Sequence, residues 1–257
     1  MIIYSWNILY RNRELDRAFE FISHTPFDIF CLQEVPEAFL ERLKTLPYTV
    51  ESRVDTDKLF RSGAVRMYNV ILSKHPIEKR GEIPFSDYSA DMTLFTRLFV
   101  AFMRPFHLSL ARNRGGLYAD VVAPNGRVRI FNLHLALTHP SRRLAEFELA
   151  MAEHDPKQPA IVCGDFNIIE TRPMTLLNWL MGGRLSDAFL ATRERTQIEE
   201  RFVSHSLVNA LSGSVTHSLS RSQLDHILVS HSFSIKNAEV LPDTIGSDHH
   251  PIRVEVA

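Results

Sequence analysis

Cysteine is scarce in this chain, with two residues, Cys31 and Cys163, among 257. Each lies inside an apolar, strand-like stretch, and their spacing fits neither a zinc site nor a redox pair. Both read as buried thiols, and a disulfide-stapled secreted scaffold is excluded. Long apolar runs are also missing, since no stretch approaches the roughly 18 residues that a membrane-spanning helix needs. The opening residues MIIYSWN already read as a strand, without a basic segment and a long apolar one behind it. No signal peptide is therefore expected, and a reducing cytoplasm is the simplest compartment. An excess of one charge is lacking as well: 29 basic residues face 30 acidic ones, for a net charge of −1. That excludes the broadly positive surface of a tight non-specific nucleic-acid binder, while a local basic groove stays open. Repeats and a linker between unlike halves are absent too, so residues 1–257 are expected to form a single domain.

What is present is a long alternation of strand and helix patterns. The apolar fraction of 45% is ample for a sizeable core. Strand-like runs fall at about 1–8, 28–34, 48–54, 64–73, 115–123, 127–136, 159–164, 225–231, 235–241 and 251–256. In RIFNLHL, Phe131, Leu133 and Leu135 share one face, with Asn132 and His134 on the other. Pro124-Asn125-Gly126 predicts a hairpin with Asn-Gly at its centre. Helical spacing marks 13–24 (Leu15, Ala18, Phe19, Ile22), 36–46 (Phe39, Leu40, Leu43) and 141–153 (Leu144, Phe147, Met151), the last with Ser141 as candidate cap. A shorter apolar helix is expected at 172–181, and the serine-rich stretch 204–222 reads as a loop. About ten strands with four or five helices between them predict sheet packed on sheet with helices outside.

The polar residues of these strands collect at strand ends. CGDFNII places Asp165 and Asn167 where the run 159–162 gives out, and i, i+2 spacing in extended chain aims both the same way. SWNIL has Asn7 late in a strand, FCLQEV ends on Glu34, and NLHLAL carries His134. QLDHIL opens a strand with Asp225, and GSDHHPI sets Asp248 and His249 just before the last one. Each alone has a plain explanation as a cap, a turn residue or a half-buried histidine. Together they suit phosphate-ester hydrolysis with a hard divalent cation. Mg²⁺ asks for one or two carboxylates and keeps most of its waters, which Glu34 satisfies. Asp165 is placed to orient and deprotonate an attacking water. Asn7, Asn167, His134 and His249 supply donors for the phosphoryl oxygens. A histidine serves this purpose best as a cation, which Asp225 or Asp248 nearby would favour. Ser5 and Cys163 have no evident base, which disfavours an acyl-enzyme mechanism.

Asn7 in SWN, Glu34 in LQE, His134 in NLH, GDFN at 164–167, LDHIL at 224–228 and SDHHP at 247–251 come in this order over nearly the whole chain. The pattern resembles the endonuclease/exonuclease/phosphatase superfamily, the fold shared by deoxyribonuclease I, abasic-site endonucleases, sphingomyelinases and inositol phosphatases. The resemblance implies an α/β four-layer sandwich, two packed mixed β-sheets flanked by helices, with the active site at one rim. It implies that Asn7 and Glu34 support a Mg²⁺ site, with Mn²⁺ as a substitute, and that Asp248 completes the metal and water network. Asp165 would activate water, Asn167 and His134 would bind phosphate, and Asp225 would pair with His249. Leu9 and the run Val35-Pro36-Glu37 stand where abasic-site endonucleases carry an acidic residue and a lysine. The substrate implied is a phosphodiester of nucleic acid, lipid or small-molecule type, with no obligate protein partner. The alternative is a non-catalytic phosphate- or nucleic-acid-binding module on the same fold.

The segment DMTLFTRLFVAFMRPFHLSLARNR, 91–114, stands apart as a hydrophobic insertion. Leu94, Leu98 and Phe102 recur every four residues, as do Phe95 and Phe99, with Arg97 and Arg104 around the other side. Pro105 is expected to stop the helix. Three roles suit such a helix: packing on the body, contacting substrate through Phe99, Phe102 and Arg104, or touching a membrane transiently through 91–110.

Overall fold

A computed structural model describes residues 1–60, 63–87, 94, 97–98, 102, 110–137, 139–170 and 191–257. Among them are thirteen strands and four helices of seven residues or more. The strands are β1 (Ile2–Asn7), β2 (Ile29–Pro36), β3 (Thr49–Phe60), β4 (Gly63–Ser73), β5 (Ile77–Pro84), β6 (Leu110–Arg112) and β7 (Gly115–Ala123). They continue with β8 (Gly126–His134), β9 (Ala160–Asp165), β10 (Leu207–Asn209), β11 (Asp225–Ser230), β12 (Ile235–Val240) and β13 (Ile252–Val256). The helices are α1 (Leu15–His24), α2 (Glu37–Leu43), α3 (Pro140–Met151) and α4 (Ala191–Ser204).

Seven strands form one sheet in the order β12-β13-β1-β2-β4-β3-β6, and six form the other, β10-β11-β9-β8-β7-β5. Each is mixed: β1–β2 and β8–β9 run parallel, their neighbours antiparallel. The period-two alternation of the sequence sorts side chains into three apolar layers. Ile3, Ile29, Cys31 and Ile71 of the first sheet meet Ala119, Ile130, Ile161, Cys163 and Ile227 of the second. Trp6, Phe30 and Leu32, on the other face of the first sheet, pack against Ala18 and Ile22 of α1 and Phe39 and Leu40 of α2. Phe131, Leu133 and Val162 face Phe147 and Ala150 of α3 and Ile198 and Phe202 of α4. The result is the α/β sandwich the sequence predicts, helices outside two packed mixed sheets.

Buried ion pairs tie α3 and α4 to the second sheet. Arg143 of α3, fully buried, forms a two-pronged pair with Glu194 of α4 and donates to the Ala136 and Leu137 carbonyls at 3.0 and 2.8 Å. Glu146 accepts from the Ala136 N–H at 2.8 Å and pairs with Arg114, which donates to the His134 carbonyl at 3.1 Å. The chain leaving β8 is thus fixed by charge-assisted bonds on both sides of α3.

Several expectations change. The hairpin β7–β8 closes with Ala123 opposite Gly126, so Pro124-Asn125 is the turn and Gly126, at φ +125°, begins the strand. α3 starts at Pro140 behind His139 (φ +74°), because proline at the first helical position needs no N–H partner, and Ser141 is inside the helix rather than capping it. The stretch 204–222 is not all loop, for it contains β10, and α4 ends within it at Ser204. β3 runs six residues beyond its expected end, and β5 and β6 carried too little apolar alternation to be anticipated. The helix expected at 172–181 lies outside the described residues.

Candidate active site

The inward-facing row of each central strand ends in polar residues at the same rim. In β1 the row is Ile3, Ser5, Asn7; in β2, Ile29, Cys31, Gln33; in β8, Ile130, Asn132, His134. In β9 it is Ile161, Cys163, Asp165, and in β11 it reads outward from Val229 through Ile227 to Asp225. Registers match: His134 pairs with Asp165 across β8–β9, and Asp165 with Asp225 across β9–β11. Gln33 donates to Asn132 at 2.7 Å, joining the two sheets directly beneath the rim. The alternation that fills the core therefore also gathers the chemistry.

Asp165, 1% exposed, is the centre. Its Oδ2 accepts from Asn7 Nδ2 at 3.0 Å and lies 3.7 Å from His134 Nε2 and 3.6 Å from His249 Nε2. Each imidazole has its own carboxylate behind it. His249 Nδ1 meets Asp225 Oδ2 at 2.8 Å, and His134 Nδ1 meets Asp55 Oδ2 at 2.7 Å. Burial opposes the imidazolium in both rings, but the surrounding carboxylates outweigh it. Asp55, then Asp165 and Glu34, raise His134 to about 9. Asp225, Asp165 and Asp248 raise His249 to about 10. Burial, reinforced by the charge of Asp225, raises the Asp165 carboxyl against the pull of His249 and His134. Two cationic donors thus flank a carboxylate more basic than an ordinary one.

Local backbone departures aim three of these groups. Glu34 (φ +56°) sits where the β2–β4 register slips, so that Gln33 faces the inter-sheet core and Val35 the helix layer. Asp55 occupies the matching slip in β3, between Val54 and Thr56. Bulges at such points turn a side chain away from the regular alternation. Asn167 is left-handed (φ +54°), because the strand ends at Asp165. Extended i, i+2 geometry therefore does not hold there. Its N–H donates to Asp165 Oδ1 at 2.9 Å and its Nδ2 to the Leu135 carbonyl at 3.0 Å, closing the turn. A Cβ on Gly164, at φ +144°, would collide with the Leu133 carbonyl oxygen, so this backbone conformation beside β8 leaves no room for a side chain.

The oxygen donors fit a hard divalent cation. Glu34, 7% exposed, accepts the Tyr10 N–H at 3.3 Å and the Lys58 ammonium at 3.1 Å, so its carboxylate is already paired with one cation, beside which a metal ion would have to bind. Asn7 Oδ1 accepts from the Leu9 N–H at 3.0 Å, and Asp225 Oδ1 is buried without a hydrogen-bond partner. Asp165, Asp225 and His249 bring ligand atoms within 4.8 Å of one another, as do His217, Asp248 and His249. Asp248 is half-exposed, and although burial works against its charge, the neighbouring imidazoles of His217 and His249 hold its carboxyl below the usual range.

Asn7, His134, Asp165, Asn167, Asp225, Asp248 and His249 are thus gathered at one rim, with Glu34 at the end of β2 beside them. Phe102 is helical and largely exposed, while Phe99 and Arg104 lie outside the described residues. Asp55, Lys58 and His217 were not anticipated. Asp55 carried the same signal as the others, a polar residue just past an alternating run, but β3 was expected to end one residue earlier. His217 stands in the serine-rich stretch, where neither periodicity nor motif distinguishes it.

The model of the endonuclease/exonuclease/phosphatase family matches residues 4–249. No curated protein matches the sequence. Among solved structures, an endonuclease/exonuclease/phosphatase family protein from Leptotrichia buccalis is similar at TM-score 0.68 and 14% identity, over 100% of this chain and 99% of that one. A mannosyl-6-phosphatase from Bacteroides thetaiotaomicron follows at 0.66 and 20%, with the same coverage. A 3′ phosphatase from Neisseria, solved with product DNA hairpin, gives 0.61 and 16%, again over 100% and 99%. These likenesses share the fold, while the family match reaches from β1 to the His249 that faces Asp165. The chain belongs to the endonuclease/exonuclease/phosphatase family.

Proposed function

We propose that the protein is a Mg²⁺-dependent phosphoesterase that hydrolyses phosphodiesters by in-line attack of water. One observation carries this reading: a buried carboxylate, Asp165, stands between two imidazole Nε2 atoms at 3.6 and 3.7 Å, each imidazole backed by its own aspartate. Asp165, with its raised proton affinity, orients a water molecule and takes its proton as the oxygen attacks phosphorus. His134 and His249, held as cations, donate Nε2–H to the phosphoryl oxygens as negative charge gathers there. Asp55 and Asp225 keep both rings in the orientation that points Nε2 inward. Asn7 fixes the Asp165 carboxylate through its 3.0 Å bond, and Asn167 closes the turn behind it. Glu34, Asn7 and Asp248 would hold the divalent ion, which when bound supplies charge neutralisation at the phosphate and leaving oxygen.

The test is hydrolysis of bis-p-nitrophenyl phosphate beside p-nitrophenyl phosphate, with Mg²⁺, Mn²⁺ or chelator. Metal-dependent cleavage with the diester preferred, abolished in Asp165→Asn while the melting temperature holds, is the expected result. Wild-type rates in Asp165→Asn would overturn the assignment of the base, and faster monoester cleavage would overturn the diester preference.

A further inference from the structure

We propose that His217 contacts the substrate at this site, donating its Nε2–H to an oxygen of the bound phosphoester. The inference rests on the phosphoesterase reading and adds a third imidazole to it. His217 is 7% exposed and is held by main-chain pairing to both Ser222 and His249, with the His250 N–H donating to the Thr216 carbonyl at 2.9 Å. Its ring centroid lies 4.8 Å from that of His249. Along the rim the order is therefore His134, Asp165, His249, His217. A phosphoryl group within reach of the first two imidazole donors has His217 on its His249 side.

The ring's hydrogen bonding settles which role it takes. Two imidazoles and a carboxylate, His217, His249 and Asp248, lie close enough to suggest a seat for an imidazole-preferring metal such as Mn²⁺ or Zn²⁺. A ligating histidine offers one nitrogen's lone pair and donates from the other, usually to a carboxylate or carbonyl. Here Nδ1 accepts from the Ser220 main-chain N–H at 3.1 Å, with Ser220 Oγ at 2.8 Å. A main-chain N–H can only donate, so Nδ1 keeps its lone pair and the ring proton sits on Nε2. Nε2 therefore has no lone pair for a metal and points a donor toward the site. It stands 3.6 Å from Asp248 Oδ2, beyond a direct hydrogen bond.

Two measurements test this. In the ¹⁵N-histidine-labelled protein without metal, NMR should show the Nε2–H tautomer for His217; an Nδ1–H tautomer overturns the proposal whatever the activity. In kinetics with bis-p-nitrophenyl phosphate and Mg²⁺, His217→Phe should lower kcat/KM by about 10- to 100-fold, the loss of one hydrogen bond to a charged group. The Mg²⁺ concentration giving half-maximal rate should stay unchanged, and His217→Gln, which restores a donor, should recover most of the loss. An unaltered rate in His217→Phe, or a rise in the metal requirement, overturns the proposal. A wild-type protein without turnover would strike the phosphoesterase reading instead. Inorganic phosphate with Mg²⁺ then serves as the NMR probe, and a His217 Nε2 resonance that it leaves unmoved overturns this proposal separately.

Discussion

Replacing Asp55 by asparagine isolates a charge that shapes the site without touching the reacting atoms. The amide is nearly isosteric, and its oxygen can still accept from His134 Nδ1, so the 2.7 Å contact survives while the charge does not. Burial pushes His134 down, and Asp55 is the largest influence raising it, with Asp165 and Glu34 behind. The rise from 6.5 to about 9 corresponds to a coupling on the order of 3 kcal/mol. Without Asp55, burial should win, and His134 should titrate below its usual 6.5. The sign for stability follows. A histidine raised in the folded state contributes stability that is fully present below pH 6.5 and is lost as pH rises through about 9. At pH 7 Asp55→Asn should therefore cost about 2–3 kcal/mol, and the difference from wild type should vanish above about pH 10. The assay is NMR titration of the His134 ring in metal-free protein, paired with urea melts at pH 7 and pH 10. A His134 midpoint near 9 in both proteins would refute the reasoning, because Asp55 would then not be what holds the cation.

Two further outcomes follow from the same geometry. Glu34→Gln should leave the fold intact and raise the Mg²⁺ concentration required for half-maximal rate by about 10-fold or more, since a hard cation loses its anchoring carboxylate; an unaltered requirement in a metal titration would remove Glu34 from the ion's site. Glu194→Gln should destabilise the protein by about 1–3 kcal/mol in denaturant melts, because it removes a two-pronged, charge-assisted pair from the fully buried Arg143 guanidinium; a change under about 0.5 kcal/mol would mean that Arg143 is held without that carboxylate.

What could be read from the sequence divides along a physical line. Alternation made β8 legible, and a continuous apolar run made β9 legible, as expected of a strand buried on both faces, by the partner sheet and by helices. These apolar stretches gave out at His134 and Asp165, as the first strand did at Asn7, so the central residues of the site were visible as interruptions of an apolar pattern. Asp55 was hidden because a bulge shifts its register, and a bulge depends on the strand alongside, in this case β4. β10 was hidden because three residues on a sheet edge carry no period. His217 was hidden for a different reason: its role depends on which atom of Ser220 meets which nitrogen, a fact of three-dimensional contact that no residue spacing encodes. The left-handed turn at Asn167 agrees with asparagine's tolerance of positive φ, but its hydrogen-bond partner, the Leu135 carbonyl, is set by chain closure and has no trace in the spacing.

Gly164 gives the site a tolerance measured in methyl groups. Its positive φ would aim a Cβ straight at the Leu133 carbonyl, so a side chain there would push β9 away from β8. The same strand pair sets the distance from His134 to Asp165. A glycine with no functional group of its own thus helps set the spacing of the His134–Asp165 pair. Substituting alanine there would leave every donor and acceptor chemically whole and misplace them together. The position in GDFN that does no chemistry is therefore among those least free to vary.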